Sequence, residues 1–314
     1  MARAHHSFIS NSNMKKFLKI FIYFLIPIVI ASACLEVYMR HIPNSYKYKD
    51  EWMKKNGNTV ETLILGSSHA YYGINPEYLS SKAFNLSNVS EDLERDKFVL
   101  YKYAEQEKNL KNVILVLSDD NLLSNMDISV ENWRIAYYSM YMGYNKKPFA
   151  LEITNARMAD KLTAYLRGED MRGCNRLGFG TAYKSSNKIP ITEYSINEAI
   201  KRHTILTKDE VMDTTRLLGN IGYLDDIINL CNKKHIRLFI IQPPVTKEYR
   251  KKMQTAQLNL YYKIIAEKQL TNKHITFCDY IQNPSFTNND FFDCDHLSDV
   301  GAEKFSKMIE VKIQ

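Results

Sequence analysis

The sequence predicts an α/β domain on a parallel sheet of about five strands, with a helical insertion and an N-terminal transmembrane helix. Three observations lead there. Short apolar runs alternate with helical patterns after residue 58, an uncharged apolar run lies near the N-terminus, and a tyrosine-rich stretch at residues 122–205 breaks the alternation. The 314 residues hold either two small domains or one domain of about 250 residues plus an anchor. With 45% apolar and 25% charged residues, a sizeable core is expected.

In chain order, the anchor comes first. Ile20–Leu35 carries no charge and follows Lys15, Lys16 and Lys19. With Phe17 and Leu18, and reaching Tyr38, it has about the length that crosses a bilayer at ~1.5 Å per residue. Pro27 is tolerated in such a helix. The preceding lysines favour a cytoplasmic N-terminus, against the weaker opposing signal of Arg40, Lys47 and Lys49. The chain then divides into a cytoplasmic tail (1–16), an anchor (17–38), a stem (39–58) and an α/β domain (59–314) outside the cytoplasm. Two other readings stay open: a cleaved signal peptide ending in the small residues Ala31 to Ala33, and a loose lipobox that would lipidate Cys34. Met14 also reads as an alternative start.

Beyond the stem, Thr62–Leu65, Ala83–Leu86, Val113–Leu117, Leu238–Ile241 and Ile275–Cys278 are short and aliphatic, β-branched or aromatic, as strands buried on both faces are. Helical patterns cover residues 91–107, 208–233, 246–270 and 300–313. Pro243 and Pro244 end the fourth strand because neither donates to a ladder. The stretch 122–205 reads as a mostly helical insertion above the carboxyl ends of the strands, where open α/β sheets bind ligands. Its aromatics suit core packing in the ordinary case and sugar stacking in the functional one.

The charge excess of +7 is spread among mixed charges, with no long basic run, so nucleic acid is not expected as a partner. Cys34, Cys174, Cys231, Cys278 and Cys294 show no zinc-type spacing.

Two motifs carry chemistry. In the first, Leu63 to Ala70, an apolar strand runs into Gly66, two serines and His69. A nucleophilic serine works best on a tight strand-to-helix turn, with backbone N–H groups facing the oxyanion. The ordinary reading of such a serine is a turn or helix cap. The second motif, Phe291 to Gly301, contains Asp293, Cys294, Asp295 and His296. A serine hydroxyl needs a base, usually a histidine steered by a carboxylate. Asp293 stands three residues before His296, so one turn presents both to the same serine, with Asp295 the alternative carboxylate. The ordinary reading is a loop with Ser298 or Asp299 capping the last helix.

Together, strand-Gly-x-Ser and a late Asp-x-x-His-Leu resemble the SGNH/GDSL hydrolase superfamily over roughly residues 60–312. That resemblance implies a flavodoxin-like three-layer sandwich and a triad of Ser68, His296 and Asp293, with no metal or organic cofactor. Ser67 stands where the family usually has aspartate. The family's second block corresponds to Asn85 to Ser90, with Ser87 or Asn88 at the N–H donor position. Its third corresponds to Ser118 to Asn121, with Asn121 as the donor side chain. The anchor, the Arg40-x-x-Pro43-Asn44 pattern and Leu-Gly-Ser-Ser-His look closer to membrane-tethered members acting on bacterial envelope polymers. Those include polysaccharide O-acetylation proteins and the protein assisting D-alanine transfer to teichoic acids. The implied partners are the membrane, an envelope polysaccharide or acylated glycan, and a membrane protein supplying acyl groups. The expected function is then an exported serine acyl-ester hydrolase or O-acyltransferase. A non-catalytic glycan-binding scaffold on the same fold is the alternative, and an esterase for small substrates shares the triad.

Overall fold

The computed structural model describes residues 11–104, 108–205 and 214–314. Its five strands are β1 (Thr62–Gly66), β2 (Ala83–Asn85), β3 (Asn112–Val116), β4 (Arg237–Gln242) and β5 (Ile275–Asp279), all parallel, in the order β2-β1-β3-β4-β5. Each lies within a residue or two of the segment that its β-branched and aliphatic content picks out. Thr62 faces Ala83 on one side and Asn112 on the other, and Asn112 in turn faces Arg237.

Because side chains alternate along a strand, the sheet sorts its residues into two cores. Leu63, Leu65, Val113, Leu115, Leu238 and Ile240 pack with residues of the helices Leu93–Ala104, Thr214–Lys233 and Thr255–Thr271. Ile64, Ile114, Val116, Phe239 and Ile241 pack with Phe305, Ile309 and Ile313 of the helix Asp299–Ile313. Helices on both faces make three layers, and this strand order has its switch point between β1 and β3.

Several helix bounds differ from the sequence pattern. Residues 105–107 and 208–213 of the expected helices lie outside the described residues. The stretch 246–270 is two helices, Lys247–Lys252 and Thr255–Thr271. Met253 adopts an extended ψ of 144°, which ends the first, and Gln254 caps the second. Residues 45–56, read as stem, form the helix Ser45–Asn56 with Tyr46, Lys49, Asp50 and Met53 buried. Asn44 caps it by accepting the Lys47 N–H, so the chain turns into the α/β unit as soon as the apolar helix ends.

The described residues up to Pro43 form one compact unit with Phe149–Met171, and Asn44–Pro148 with Arg172–Gln314 forms the other. The insertion is therefore divided between two units. In the first, the helix Asn11–His41 contains Met14–His41, whose most apolar 18-residue stretch has a mean hydropathy of 2.4, long and apolar enough to cross a membrane. In the second, Tyr137 and Tyr138 of the insertion are buried in the larger core, where Tyr138 meets Tyr46 edge to face.

At the switch point, Gly66 closes β1 at φ +124°, and a Cβ there would stand 2.5 Å from the Val116 carbonyl oxygen. Only glycine takes that backbone without strain. Gly66→Ala is expected to destabilise the fold by at least about 1–3 kcal/mol in denaturant titration. Gly219→Ala, in the helix Thr214–Lys233 with nothing within 4 Å of its added Cβ, is expected to stabilise it by roughly 0.5–1 kcal/mol.

Candidate active site

β1 delivers the chain to Gly66, whose N–H donates to Asp96 Oδ1 at 2.7 Å. Ser67 then caps the short helix Ser68–Tyr71, which makes Ser68 its first residue. The first N–H groups of a helix have no intrahelical acceptor, so those of Ser68 and His69 are left over for another partner.

The second motif folds around Asp293. Its Oδ1 accepts the N–H of Asp295 at 3.0 Å and of His296 at 2.7 Å, while Phe292 N–H donates to the His296 carbonyl at 2.8 Å. A bridge between Phe291 and Leu297 closes the loop, and Ser298 caps the last helix. The turn holds the carboxylate beside the ring three residues on. His296 Nδ1 stands 3.1 Å from both Asp293 oxygens, and His296 Nε2 stands 2.8 Å from Ser68 Oγ. An ionised carboxylate only accepts, so Nδ1 carries the proton; in the neutral ring Nε2 then accepts from the serine hydroxyl.

Asp295, adjacent in sequence, does not diverge from this row. Its buried Oδ2 lies 3.4 Å from His296 Nδ1, 3.6 Å from His69 Nε2 and 3.6 Å from His203 Nδ1. The His69 ring stacks on His296 at 4.6 Å and 11°. Burial pushes Asp295 up, but the imidazoles of His296, His203 and His69 outweigh it and hold the carboxyl well below the usual range. Burial likewise pulls His296 down, yet Asp295 and then Asp293 outweigh it and raise the ring to about 9. For His69, burial wins and the ring is kept below its ordinary value. Tyr183, from the insertion, stacks between Tyr72 at 3.8 Å and Phe292 at 4.0 Å and meets His296 edge-on at 5.3 Å.

The predicted oxyanion groups sit differently from one another. The N–H and hydroxyl of Ser87 both donate to Asn85 Oδ1, and its carbonyl accepts from Lys49 Nζ. Asn88 spends its side-chain amide on the Leu86 carbonyl and Glu91. Asn121 is held at its oxygen end, where Oδ1 accepts the Ser118 N–H and hydroxyl, each at 2.9 Å. Its Nδ2 donates to no described residue.

Two members of this cluster had little sequence signal. His203 ends the helix Glu193–His203, far along the insertion, and Tyr183 lies in a polar stretch. Nothing in their spacing ties them to residues 293–296. As metal donors, His69, Asp295 and His296 offer atoms within 4.8 Å of one another. Both nitrogens of His296 are already engaged, by Ser68 and by the carboxylates, which leaves two donors rather than three. All five cysteines are unbridged.

A family model described as "Protein of unknown function (DUF1574)" matches residues 126–309, more than half of the chain. The chain belongs to the DUF1574 family. The matched span holds Asp293 and His296 and begins beyond Ser68. No curated protein matches this DUF1574 chain. A solved structure described as "a putative platelet activating factor from Streptococcus pneumonia" is similar at 12% identity and a TM-score of 0.44, covering 91% of this chain and 99% of that one.

In this DUF1574 protein the His296 ring is expected to titrate near pH 9 in imidazole NMR spectra. Asp295→Asn should move the midpoint down, because a charge beside the cationic ring is removed. An unchanged midpoint would assign the whole upward shift to Asp293.

Proposed function

We propose that this protein is a serine-dependent acyl-ester enzyme, a hydrolase or an O-acyltransferase, held on the outer side of a membrane by the helix Asn11–His41. The observation that carries the reading is the hydrogen-bonded row from Ser68 Oγ through His296 to Asp293. The SGNH-like spacing of Gly66-x-Ser68 and Asp293-x-x-His296 agrees with it.

In this mechanism Ser68 Oγ attacks the acyl carbonyl and passes its proton to His296 Nε2, while Asp293 fixes the tautomer and steadies the imidazolium. Asp295 adds negative charge on the same side of the ring. The oxyanion is met by the Ser68 N–H and the Asn121 amide, whose Oδ1 is held by Ser118 so that Nδ2 is left to donate. Ser87 serves less well in that role because its N–H already has an acceptor. The C–O bond to the leaving group breaks, His296 returns the proton to it, and Ser68 is left acylated. A second oxygen nucleophile, water or a glycan hydroxyl, gives its proton to His296 and takes the acyl group as the ester bond to Ser68 breaks, and His296 returns that proton to Ser68 Oγ. The apolar helix and the resemblance to envelope-acting proteins favour a cell-envelope glycan as the source or acceptor of that group.

A fluorophosphonate probe applied to the purified full chain tests the core of this reading. Wild type and Ser67→Ala should label, while Ser68→Ala and His296→Ala should lose labelling by at least about a thousandfold in rate. Equal labelling of Ser68→Ala and wild type would end the assignment. Asn121→Ala should keep the labelling site but slow turnover of an acyl ester by about a hundred- to a thousandfold.

A further inference from the structure

The insertion contributes residues 149–171 to the unit of the apolar helix, and that unit has an unusual division of polarity. On the inner side, charged groups clasp the last two turns of the helix. Glu36 accepts the Ile153 N–H at 3.0 Å and pairs with Arg40 at 2.5 Å, and Arg40 donates to the Ala150 carbonyl at 3.2 Å. Lys161 is buried, bonds Glu152 at 2.5 Å and reaches the Met39 carbonyl at 3.5 Å. Tyr38 meets Tyr165 edge to face at 6.2 Å.

On the outer side the segment shows apolar groups. Phe149 is 92% exposed and Leu166 71%, with Leu151 and Tyr165 also exposed. Within the helix Met158–Leu166, Tyr165 and Leu166 are exposed at its last turn, Met158 and Leu162 are half-buried, and Lys161 turns to the clasp. Large apolar side chains exposed together, as Phe149, Leu151, Tyr165 and Leu166 are, mark a surface that meets a partner or a membrane.

The depth of this segment follows from what it grips. The uncharged run Ile20–Leu35 spans ~24 Å at ~1.5 Å per residue, most of the hydrocarbon thickness of a bilayer. Glu36 and Arg40 follow at once, where a spanning helix leaves the hydrocarbon for the headgroups. A segment clasped to residues 36–40 is thus held at headgroup level, where aromatic and aliphatic side chains of an amphipathic element partition into the interface.

We infer that residues 149–171 form a membrane-interface collar, with Phe149, Leu151, Tyr165 and Leu166 inserted at the headgroup–acyl boundary around the anchor. The partner of this surface is lipid. The collar rests on the reading of the helix Asn11–His41 as a membrane anchor. It gives the insertion a second task besides lining the serine site, since the Glu36–Arg40 clasp holds it at the membrane surface.

The test uses the full chain, reconstituted without other proteins in phosphatidylcholine nanodiscs, with one tryptophan added at a time. Phe149→Trp and Leu166→Trp report the collar. Asp160→Trp reports the other face of the same helix, where the native side chain is 71% exposed. Phe24→Trp reports the anchor. Each is compared in plain lipid and in lipid brominated near the headgroup or at mid-chain, after subtraction of the Trp52 and Trp133 signal. Phe149→Trp and Leu166→Trp should be quenched about twofold more than Asp160→Trp, most by bromines near the headgroup, and Phe24→Trp most by mid-chain bromines. Quenching of Phe24→Trp with no excess at Phe149 or Leu166 overturns the collar, leaves the anchor standing, and means that water or a partner protein meets this face. Absence of quenching at Phe24→Trp removes the anchor and the collar with it.

Discussion

The carbonyl of Val116 lies so close to Gly66 that no side chain fits between β1 and β3 at their carboxyl ends. This approach lets the chain leave the sheet in a left-handed conformation and turn at once into the helix that begins at Ser68. It sets the hydroxyl at the edge of the sheet rather than in either core. The buried Asp96 accepts the Gly66 N–H at 2.7 Å, so that donor is not orphaned by the turn. Burial, with Glu91 beside it, drives Asp96 well above the usual carboxylate range, against the lowering effect of the Gly66 N–H.

Around that turn the protein concentrates charge in places where water is scarce. Asp295 is fully buried and serves three imidazoles, an arrangement stable only because each ring can share the anion. The stacked pair His69 and His296 cannot both be cationic at 4.6 Å without cost, and the lowered His69 and raised His296 resolve that conflict in favour of the ring that faces Ser68. Beneath, Lys49 from the helix Ser45–Asn56 bonds the Ser87 carbonyl and lies 4.4 Å from the Tyr71 ring centroid. Burial lowers Lys49 and raises Glu91, so this buried cation and acid are both poised to shed charge rather than hold it unpaired. The helix that follows the apolar segment thereby supports the loop after β2.

The two-unit division gives the insertion a mechanical sense. Its flanks join the α/β unit, where Tyr183 walls the serine site, while its middle grips the end of the apolar helix. One continuous stretch of chain therefore belongs to both the serine cluster and the apolar-helix unit.

How much of this was readable in the residues divides along a physical line. Local patterns decided local structure: the aliphatic runs ending at Gly66 and Gln242 became parallel strands, while the polar composition of residues 45–56, which reads as a stem, hid a helix capped by Asn44. Asp293-x-x-His296 was legible because three residues is the span of a single turn, and the carboxylate closes that turn on its own N–H donors. What stayed illegible depends on distant pairs. Asp295 reads only as the alternative carboxylate to Asp293, yet in the fold it stands beside His296 together with the His69 ring from the far end of the chain. His203, Tyr183 and the Lys49–Ser87 bond have no periodicity to announce them, and the clasp of residues 149–161 on Glu36 and Arg40 joins segments more than a hundred residues apart. The sequence by itself determined the sheet, its turn and the three side chains that meet at it. Only tertiary packing decided which buried charges surround them and where the insertion goes, because those choices are made by desolvation and by partners that no local pattern encodes.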